Sequence, residues 1–290
     1  MANEEINLGA KMKNYIKLLR VKHYIKNFLI FIPMFFDQSV FDGEKVKNAI
    51  VGWLSFCFIS SAVYVLNDLK DVEKDRMHPT KKNRPIACGA IKEKEAIGLL
   101  IVCIICSLAC CIMTKCYEGF LFVGVYFLIN ILYSCGLKNK PLIDIIILTA
   151  GFVIRIYYGA VITNTEVSGW LFLVVVTGSI YMGLGKRRNE LKKQTESREV
   201  LKYYTYSFLD KNMYVCVALV NVFYALWAMD FNDVRMIWTV PLFIIILMKY
   251  SLNIEGDSDG DPVEVIIHDK GIMAMTLCYA IFMFLLLYVL

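Results

Sequence analysis

The stretch 67–89, NDLKDVEKDRMHPTKKNRPIACG, is the densest run of polar residues in an otherwise apolar chain. It begins where an apolar run ends, so its first residues are predicted to continue a helix. On a helix Asn67, Asp71 and Asp75 fall at i, i+4 and i+8 and share one face. Carboxylates at this spacing repel one another unless a cation lies among them. Oxygen ligands favour a hard divalent ion, so these three residues, supported by Asp68, are predicted to bind Mg²⁺.

Basic side chains follow these acids directly and supply the opposite charge. Mg²⁺ commonly shares its site with substrate phosphates, and a bound polyphosphate would need cations around its remaining oxygens. The segment therefore indicates phosphate chemistry. The competing interpretation is a solvated charged loop between two helices. The basic residues in question are Arg76, His78, Lys81, Lys82 and Arg84.

The first apolar run of the chain begins with two polar stripes. Arg20, His23 and Asn27 recur at i, i+3 and i+7, while Lys22 and Lys26 are separated by four residues. Side chains at the start of a membrane helix can reach the lipid headgroups, but Lys26 and Asn27 lie deeper than this requires. We therefore expect Lys26 and Asn27 to belong to a binding site.

Three later regions add candidates for phosphate binding. Tyr133, near the end of the fourth apolar run, and Lys138, between the fourth and fifth runs, lie at a level where a phosphate could reach them. Lys186 and Arg187 open the polar stretch after the sixth run, where a stop-transfer cluster is the competing interpretation. Arg155 lies about fourteen residues into the fifth run and has no acid within one turn. A charged residue inside a membrane helix is a site candidate by default, although its side chain could also reach outward to the interface.

The composition places all of these residues in a membrane protein. The chain has 290 residues, of which 58% are hydrophobic, and a mean hydropathy of +0.56. Apolar runs of roughly 17 to 25 residues mark membrane-spanning helices, and these runs lack the alternation of membrane strands. The sequence predicts an all-α polytopic protein with nine spans, at 20–36, 47–66, 95–114, 117–135, 141–162, 168–184, 213–230, 235–252 and 271–290.

The distribution of basic residues predicts the orientation of this bundle. With the N-terminus inside, nearly all of the 31 Lys and Arg residues fall on the inner side. This positive-inside bias predicts a multi-pass protein of the cell (inner) membrane whose polar segments face the cytoplasm. The net charge of +5 is attributed to topology and to membrane lipid or phosphate ligands, and no nucleic-acid partner is expected. Four residues fall outside: Lys45, Lys47, Lys115 and Arg235.

The N-D-x-x-D-x-x-x-D pattern after the second apolar run, the KN pair at 26–27 and the pieces HPTKKNRPIACG and GKRRNE together carry a resemblance. On these motifs the chain resembles the UbiA superfamily of intramembrane prenyltransferases over essentially its whole length. The resemblance implies one domain, 1–290, with nine helices around a central cavity. Its parts are an amphipathic lead-in at 1–19, a metal and diphosphate loop at 67–94 and a second cytoplasmic loop at 186–212.

One departure from the superfamily pattern narrows the expected activity. Typical members carry a second Asp-rich motif after the sixth helix, whereas this chain has Lys186, Arg187, Arg188 and Glu190 there. A basic cluster can bind phosphate without a metal bridge. With the more specific motifs, this resembles a branch that moves 5-phosphoribose from 5-phosphoribosyl diphosphate to a polyprenyl (decaprenyl-type) phosphate. The resemblance suggests a role in cell-wall biosynthesis.

The resemblance also implies roles for individual residues. Asp71 and Asp75 would act through Mg²⁺, and no general base is expected because a phosphate acceptor is already ionised at neutral pH. Diphosphate and ribose binding is expected of Lys26, Asn27, His78, Lys81, Arg84, Tyr133 and Lys138. Phosphate binding is expected of Lys22, Arg155, Lys186, Arg187 and Glu190. Which of the basic groups binds the ribose 5-phosphate and which the lipid phosphate stays open.

Two other functions remain in competition at this point. One is an ordinary UbiA-type prenyltransferase that moves a polyprenyl group from its diphosphate to an aromatic or glycerol-phosphate acceptor. The other is a transporter or lipid-binding scaffold, which would show ionisable residues near the middle of the bilayer. The sequence does not give the length of the polyprenyl chain or the oligomeric state, and a homo-oligomer is compatible with it.

Overall fold

The structure is a computed structural model that describes residues 2–193, 198–231, 233–256 and 262–290. Every regular element in these ranges is helical, and no strand occurs in them. This confirms the all-α prediction. The α-helices are α1 Ala2–Leu19, α2 Ile32–Phe36, α3 Gly43–Lys70, α4 Val72–Met77, α5 Glu93–Met113, α6 Glu118–Ser134, α7 Ile143–Thr163, α8 Gly169–Lys193, α9 Tyr206–Asp230, α10 Thr239–Glu255, α11 Pro262–His268 and α12 Lys270–Tyr288. The 3-10 helices are Val21–Phe31, Lys81–Asn83, Leu137–Asn139, Glu199–Tyr203 and Val234–Trp238.

Within the described ranges, seven segments are long and apolar enough to cross a membrane. They are α3, α5, α7, α8, α9, the segment Val234–Glu255 and α12. Helix α6 is equally apolar but has only 17 residues. A helix satisfies its backbone hydrogen bonds internally, which is why apolar segments of this length fold as helices in lipid. Seven spans therefore follow from length and composition, and the predicted total of nine is not confirmed.

The first predicted span, 20–36, is not one α-helix. It consists of the 3-10 helix Val21–Phe31 followed by the short helix α2. Arg20 has the left-handed backbone conformation, with φ 52° and ψ 47°, so the chain turns there instead of continuing α1. Pro33 in the first turn of α2 lacks a backbone N–H and suits a helix start. At about 2.0 Å per residue the 3-10 segment is about 22 Å long.

This 3-10 segment passes directly over α7. A Cβ atom at Gly159 would overlap the backbone carbonyl oxygen of Ile30, so the two segments approach at backbone distance. Ile30 is fully buried there, in a core that includes Phe56 of α3 and Tyr158 of α7. Glycine is what permits this close approach. The result is that this part of the 3-10 segment lies against the centre of the bundle, and Asn27 is buried inside it.

The second polar segment, 186–212, is also more regular than expected. Helix α8 continues through it to Lys193, so Lys186 to Glu190 are helical rather than part of a loop. Val200 and Leu201 of this segment are buried in a core with Tyr181 and Tyr250. Residues 194–197 of this segment lie outside the described ranges.

Candidate active site

A cavity of about 350 Å³ lies among α3, α4, α6, α7 and α8. It brings together most of the residues selected from the sequence, which are Asn67, Asp71, Asp75, Lys26, His78, Lys81, Arg84, Tyr133, Lys138, Arg155 and Lys186. Of the selected residues that the structure describes, those not in the lining are Asp68, Lys22, Asn27, Arg187 and Glu190. Basic residues of the lining that the sequence analysis did not assign to the site include Arg20, Lys74 and Arg198.

The acids of the first motif reach this cavity from a bend rather than from one continuous helix. Helix α3 ends at Lys70 and α4 starts at Val72, with Asp71 at the junction. The backbone N–H of Asp71 donates to the carbonyl of Asn67 at 2.9 Å, and that of Asp75 donates to the carbonyl of Asp71 at 2.8 Å. These i to i−4 hydrogen bonds keep helical spacing across the bend. Asn67, Asp71 and Asp75 consequently line the same cavity.

Basic side chains lie directly against the two carboxylates of the lining. The ammonium group of Lys138 donates to both oxygens of Asp71, at 2.9 and 2.8 Å. The guanidinium of Arg84 donates to Asp75 at 2.7 Å. The repulsion expected among closely spaced acids is therefore relieved in this structure by cations from the chain itself. The amide oxygen of Asn67 instead accepts a hydrogen bond from the hydroxyl of Ser134.

Asp68 differs from the other acids of the motif. Its side chain is 3% exposed and is not part of the cavity lining. It accepts hydrogen bonds from Arg20 at 2.7 Å and from Arg84 at 3.0 Å. Arg20 in turn lies over the ring of Tyr64, 4.7 Å from its centroid. Asp68 is thus placed to hold Arg84 against the lining, and a supporting role for it at the metal stays a prediction.

The sequence analysis attributed Arg20 to the lipid headgroups and did not identify its role in the lining. Its position at the very start of the first apolar run favoured contact with the membrane surface. The left-handed turn at Arg20 cannot be read from that periodicity, and it redirects the side chain toward Asp68. The only available signal was the i, i+3 spacing of Arg20 and His23, both of which line the cavity.

Arg187 and Glu190 lie in the protein core and not in the lining. The guanidinium of Arg187 donates to Asp144 of α7 at 2.6 Å and to Glu190 at 2.7 Å. Tyr204 donates its hydroxyl hydrogen to the other oxygen of Asp144 at 2.7 Å, and burial raises the pKa of Tyr204 to about 12. This arrangement ties α7, α8 and the segment after α8 together. The structure therefore gives Arg187 and Glu190 a structural place, and only Lys186 of this cluster reaches the cavity.

Tyr133 connects this buried cluster with the cavity. It lines the cavity, and its hydroxyl oxygen accepts hydrogen bonds from Arg187 at 3.3 Å and from Arg198 at 3.0 Å. Arg198 also lines the cavity and lies 3.7 Å from Glu190. Arg198 was missed because it follows a long polar stretch with no helical periodicity. Its position depends on buried neighbours that are distant in sequence.

Arg155 points into the bundle and not outward to the interface. Arg155 is 5% exposed, and its side chain forms the inner part of the cavity lining. Its guanidinium donates to the side-chain oxygen of Asn27 at 2.7 Å and to the hydroxyl oxygen of Tyr126 at 3.0 Å. Asn27 is fully buried and is not in the lining, so it contacts Arg155 rather than the open space. Lys22 is exposed and lies away from the cavity.

His78 and Lys81 form a turn in the lining of the site. The Nδ1 atom of His78 accepts hydrogen bonds from the backbone N–H groups of Thr80 and Lys81, both at 3.3 Å. This turn starts the 3-10 helix Lys81–Asn83 and leads the chain to Arg84. The lead-in helix α1 supports it, because Lys17 donates to the carbonyl oxygen of Asn83 at 2.8 Å.

Comparison with known proteins gives the family. A sequence profile described as the UbiA prenyltransferase family matches residues 29–278. The decaprenyl-phosphate phosphoribosyltransferase of Corynebacterium glutamicum is 31% identical, and the match covers 94% of this chain and 86% of that protein. The protein of the same name from Mycolicibacterium smegmatis is also 31% identical, with coverage of 91% and 89%. The chain belongs to the UbiA prenyltransferase family. The resemblance found from the motifs is therefore confirmed.

The fold of this UbiA-family protein has a counterpart among solved structures. A UbiA homolog from Archaeoglobus fulgidus bound to DMAPP and Mg²⁺ superposes with a TM-score of 0.73 at 21% identity. The match covers 96% of this chain and all of the other. With its family membership and its apolar helices, the protein is an integral membrane transferase.

The donor set of the UbiA-family cavity fits Mg²⁺. Among the described residues, no group of three or more His, Cys, Asp or Glu side chains converges as a metal centre. Mg²⁺ needs no such group, because it retains waters and binds through one or two carboxylates plus substrate phosphates. Asp71, Asp75 and the amide of Asn67 offer only oxygen atoms to one cavity. The cations already paired with both carboxylates occur where positive charge is favourable.

Proposed function

We propose that this UbiA-family protein transfers 5-phosphoribose from 5-phosphoribosyl diphosphate to a polyprenyl phosphate and releases diphosphate. The observation that carries the proposal is the charge of the cavity lining, which has basic side chains on the 3-10 helix Leu137–Asn139, on α7 and on α8 as well as beside the acids. A substrate pair with a diphosphate and two further phosphate groups needs several separate cations, whereas one prenyl diphosphate needs fewer. The names of the relatives from C. glutamicum and M. smegmatis support the same reaction.

In this proposal the acids of the first motif bind the donor through Mg²⁺. Asn67, Asp71 and Asp75 would hold the metal, and Asp68 would act by holding Arg84. The metal, when bound, neutralises charge that builds on the diphosphate as it leaves. The solved A. fulgidus homolog, which contains Mg²⁺ with an isoprenyl diphosphate, supports this use of the cavity.

The remaining steps require orientation and charge more than proton transfer. A phosphate oxygen of the lipid attacks the anomeric carbon, a carbon–oxygen bond forms, and the bond to the diphosphate oxygen breaks. The lipid phosphate is ionised at neutral pH, so no general base is needed. Lys26, Lys81 and Arg84 are proposed to bind the diphosphate oxygens, and Lys138 is within reach of the same group once it exchanges its contact with Asp71. Lys186 is proposed to bind phosphate from α8.

We further propose that the site opens toward the cytoplasm of the cell membrane. The donor is a water-soluble sugar phosphate, and the distribution of Lys and Arg favours an inner-side position for the ends of α3, α6 and α8. The polyprenyl phosphate would lie between helices with its headgroup at that surface. The chain is proposed to act as one domain, in which the loop 67–94 and the described residues Lys186, Arg198 and Glu199 line the same cavity.

The test uses purified protein in detergent with Mg²⁺, labelled 5-phosphoribosyl diphosphate and a polyprenyl phosphate. We expect a labelled lipid that requires both substrates and the metal. Asp71→Asn should abolish transfer while the melting temperature stays close to that of the wild type. The matched control is Asp37→Asn, because Asp37 forms an exposed pair with Lys45 away from the cavity.

Two outcomes would contradict the proposal. If the protein transfers a prenyl group from a prenyl diphosphate to an aromatic or glycerol-phosphate acceptor without a ribose donor, it is an ordinary UbiA prenyltransferase. If Asp71→Asn turns over at a rate near that of the wild type, the metal assignment fails even where transfer itself occurs.

A further inference from the structure

Arg155 is a buried cation, and its hydrogen-bond partners among the described residues are all neutral groups. Its Nε donates to Asn27, one terminal nitrogen donates to the backbone carbonyl of Gly151 at 2.6 Å, and the other donates to the hydroxyl oxygens of Tyr126 and Ser60. A charged group that is removed from water is costly unless another charge compensates it. None of these four contacts brings a carboxylate to the guanidinium.

The other buried arginines of the described chain are compensated. Arg187 contacts Asp144 and Glu190, and Arg188 contacts Asp210 at 2.8 Å. Those two residues and Arg155 are the arginines that the structure buries at 5% exposure or less. Only Arg155 of the three lines the cavity. The compensating charge for Arg155 is therefore expected to come from a ligand in that cavity.

The surroundings of Arg155 hold its planar group in one orientation. The guanidinium carbon lies 5.5 Å from the ring centroid of Phe56 and 4.8 Å from that of Tyr126. Asn27 is fully buried, and its amide donates to Cys57 at 3.3 Å while its oxygen accepts from Arg155. A preoriented guanidinium is suited to an anion with several oxygens, such as a phosphate monoester.

The position of Arg155 relative to the acids indicates which phosphate it binds. Ser60, which contacts Arg155, precedes Asn67 by seven residues on α3, so Arg155 lies about 10 Å deeper than Asn67 along that helix, and the acids follow Asn67 in the chain. A pentose has its 1-diphosphate and its 5-phosphate on opposite sides of the ring. With the diphosphate at Asp71 and Asp75, the 5-phosphate would point toward the inner end of the cavity. The lipid phosphate, which arrives at the membrane surface, is left to the bases at the helix ends.

We infer that Arg155 is the binding residue for the 5-phosphate of the donor and that Asn27 is its positioning residue. This inference rests on the proposed function and assigns a subsite within it. It also explains why Asn27 must be neutral. An acid at position 27 would compensate Arg155 permanently and compete with the ligand.

The sharpest test is Asn27→Asp, which is nearly isosteric and keeps an oxygen acceptor for Arg155. The full-length protein in detergent is titrated with ribose 5-phosphate and, separately, with inorganic diphosphate plus Mg²⁺. We expect the affinity for ribose 5-phosphate to fall about tenfold or more, since a charge-assisted contact is lost. The affinity for diphosphate with Mg²⁺ should change by less than about threefold, and the melting temperature should not fall, because the new acid pairs with Arg155.

Two further variants complete the comparison. Asn212→Asp makes the same change of charge on α9, away from the cavity lining, and should leave both affinities unchanged. Arg155→Met should lose affinity for ribose 5-phosphate as Asn27→Asp does, and it keeps the test decisive if Asn27→Asp does not fold.

Several outcomes would overturn the inference. Unchanged binding of ribose 5-phosphate in Asn27→Asp would mean that Arg155 is structural, and an equal loss for diphosphate would mean a general effect of charge. Selective loss of a short-chain prenyl phosphate would assign Arg155 to the lipid. If the wild type binds a prenyl diphosphate but neither ribose 5-phosphate nor phosphoribosyl diphosphate, the proposed function itself fails, which is a distinct result.

Discussion

Arg187→Met should destabilise the protein more than Asp144→Asn, although both changes break the same buried ion pair. Arg187 is 1% exposed as a side chain, and its partners Asp144 and Glu190 are 0% and 7% exposed. Removing the arginine leaves the buried Asp144 without its cation and leaves Glu190 only with Arg198, 3.7 Å away. Removing the charge of Asp144 leaves Arg187 still paired with Glu190. The structure therefore predicts an order of effects as well as their sign.

The magnitudes follow from the number of charges left unpaired. Breaking a buried pair by removing one partner typically costs about 3–5 kcal/mol. Asp144→Asn should lie near the lower end, about 3 kcal/mol, because Glu190 still compensates the arginine. Arg187→Met should reach about 5 kcal/mol, since Asp144 also accepts a hydrogen bond from Tyr204 and remains fixed in its site. The difference between the two variants is thus expected to be about 2 kcal/mol.

The assay is equilibrium unfolding in mixed detergent micelles, followed by helical circular dichroism, for the wild type and each variant. Arg187→Lys serves as the control that retains the charge but not the fork of donors, and it should lie between the other two. If Arg187→Met unfolds within about 0.5 kcal/mol of the wild type, Arg187 behaves as a surface residue and the buried pair is not formed. A larger loss for Asp144→Asn than for Arg187→Met would refute the reasoning on compensation.

Two further predictions concern the fold away from the site. Gly159→Ala should lower the melting temperature, at a cost of about 1–3 kcal/mol or more, because the added Cβ would overlap the carbonyl of Ile30. Gly124→Ala is the control, since a Cβ there has no neighbouring atom within 4 Å. Equal melting temperatures for the two variants would contradict the close approach. Hydrogen bonding from Asn253 lowers the pKa of Asp269 to about 2. The stability that Asp269 adds to the fold is therefore complete above about pH 4, and it is lost as the pH falls through about 2. Asp269→Asn should flatten that part of a plot of melting temperature against pH, and an unaltered plot would argue against the contact.

Much of the helical architecture could be predicted because it depends on local composition. Apolar runs long enough to cross a bilayer fold as helices whatever they pack against. The segment 20–36 could not be predicted this way, since its form depends on the left-handed turn at Arg20 and on the approach of Ile30 to Gly159. The continuation of α8 through Lys193 was missed because its polar residues suggested a loop, whereas Arg187 is buried against Asp144 of α7 and Glu190 is buried against Arg187.

The same distinction between local spacing and distant contacts applies to the residues of the candidate site. The spacing of Asn67, Asp71 and Asp75 places them around one cavity because helical hydrogen bonds continue across the bend at Asp71. The positions of the basic side chains depend on partners that are distant in the sequence. The spacing of residues along the chain does not identify those partners. Arg187 forms an ion pair with the buried Asp144. Arg198, which no sequence pattern identified, donates a hydrogen bond to Tyr133 of the lining.

The pairing of charges around the cavity bears on which ligand it can accept. Asp71 and Asp75 are each matched by a base, Lys138 and Arg84, so that half of the lining is balanced before any ligand arrives. A diphosphate that binds with its metal brings a cation to the two acids and an anion to the two bases. Each acid and each base then exchanges its partner in the protein for one in the ligand, and no charge is left unpaired. Arg155 is not balanced in this way, because its recorded contacts are neutral. A ligand that satisfies the whole cavity must therefore carry more negative charge than one diphosphate, and it must carry it at the inner end, which favours a sugar with a second phosphate over a prenyl chain.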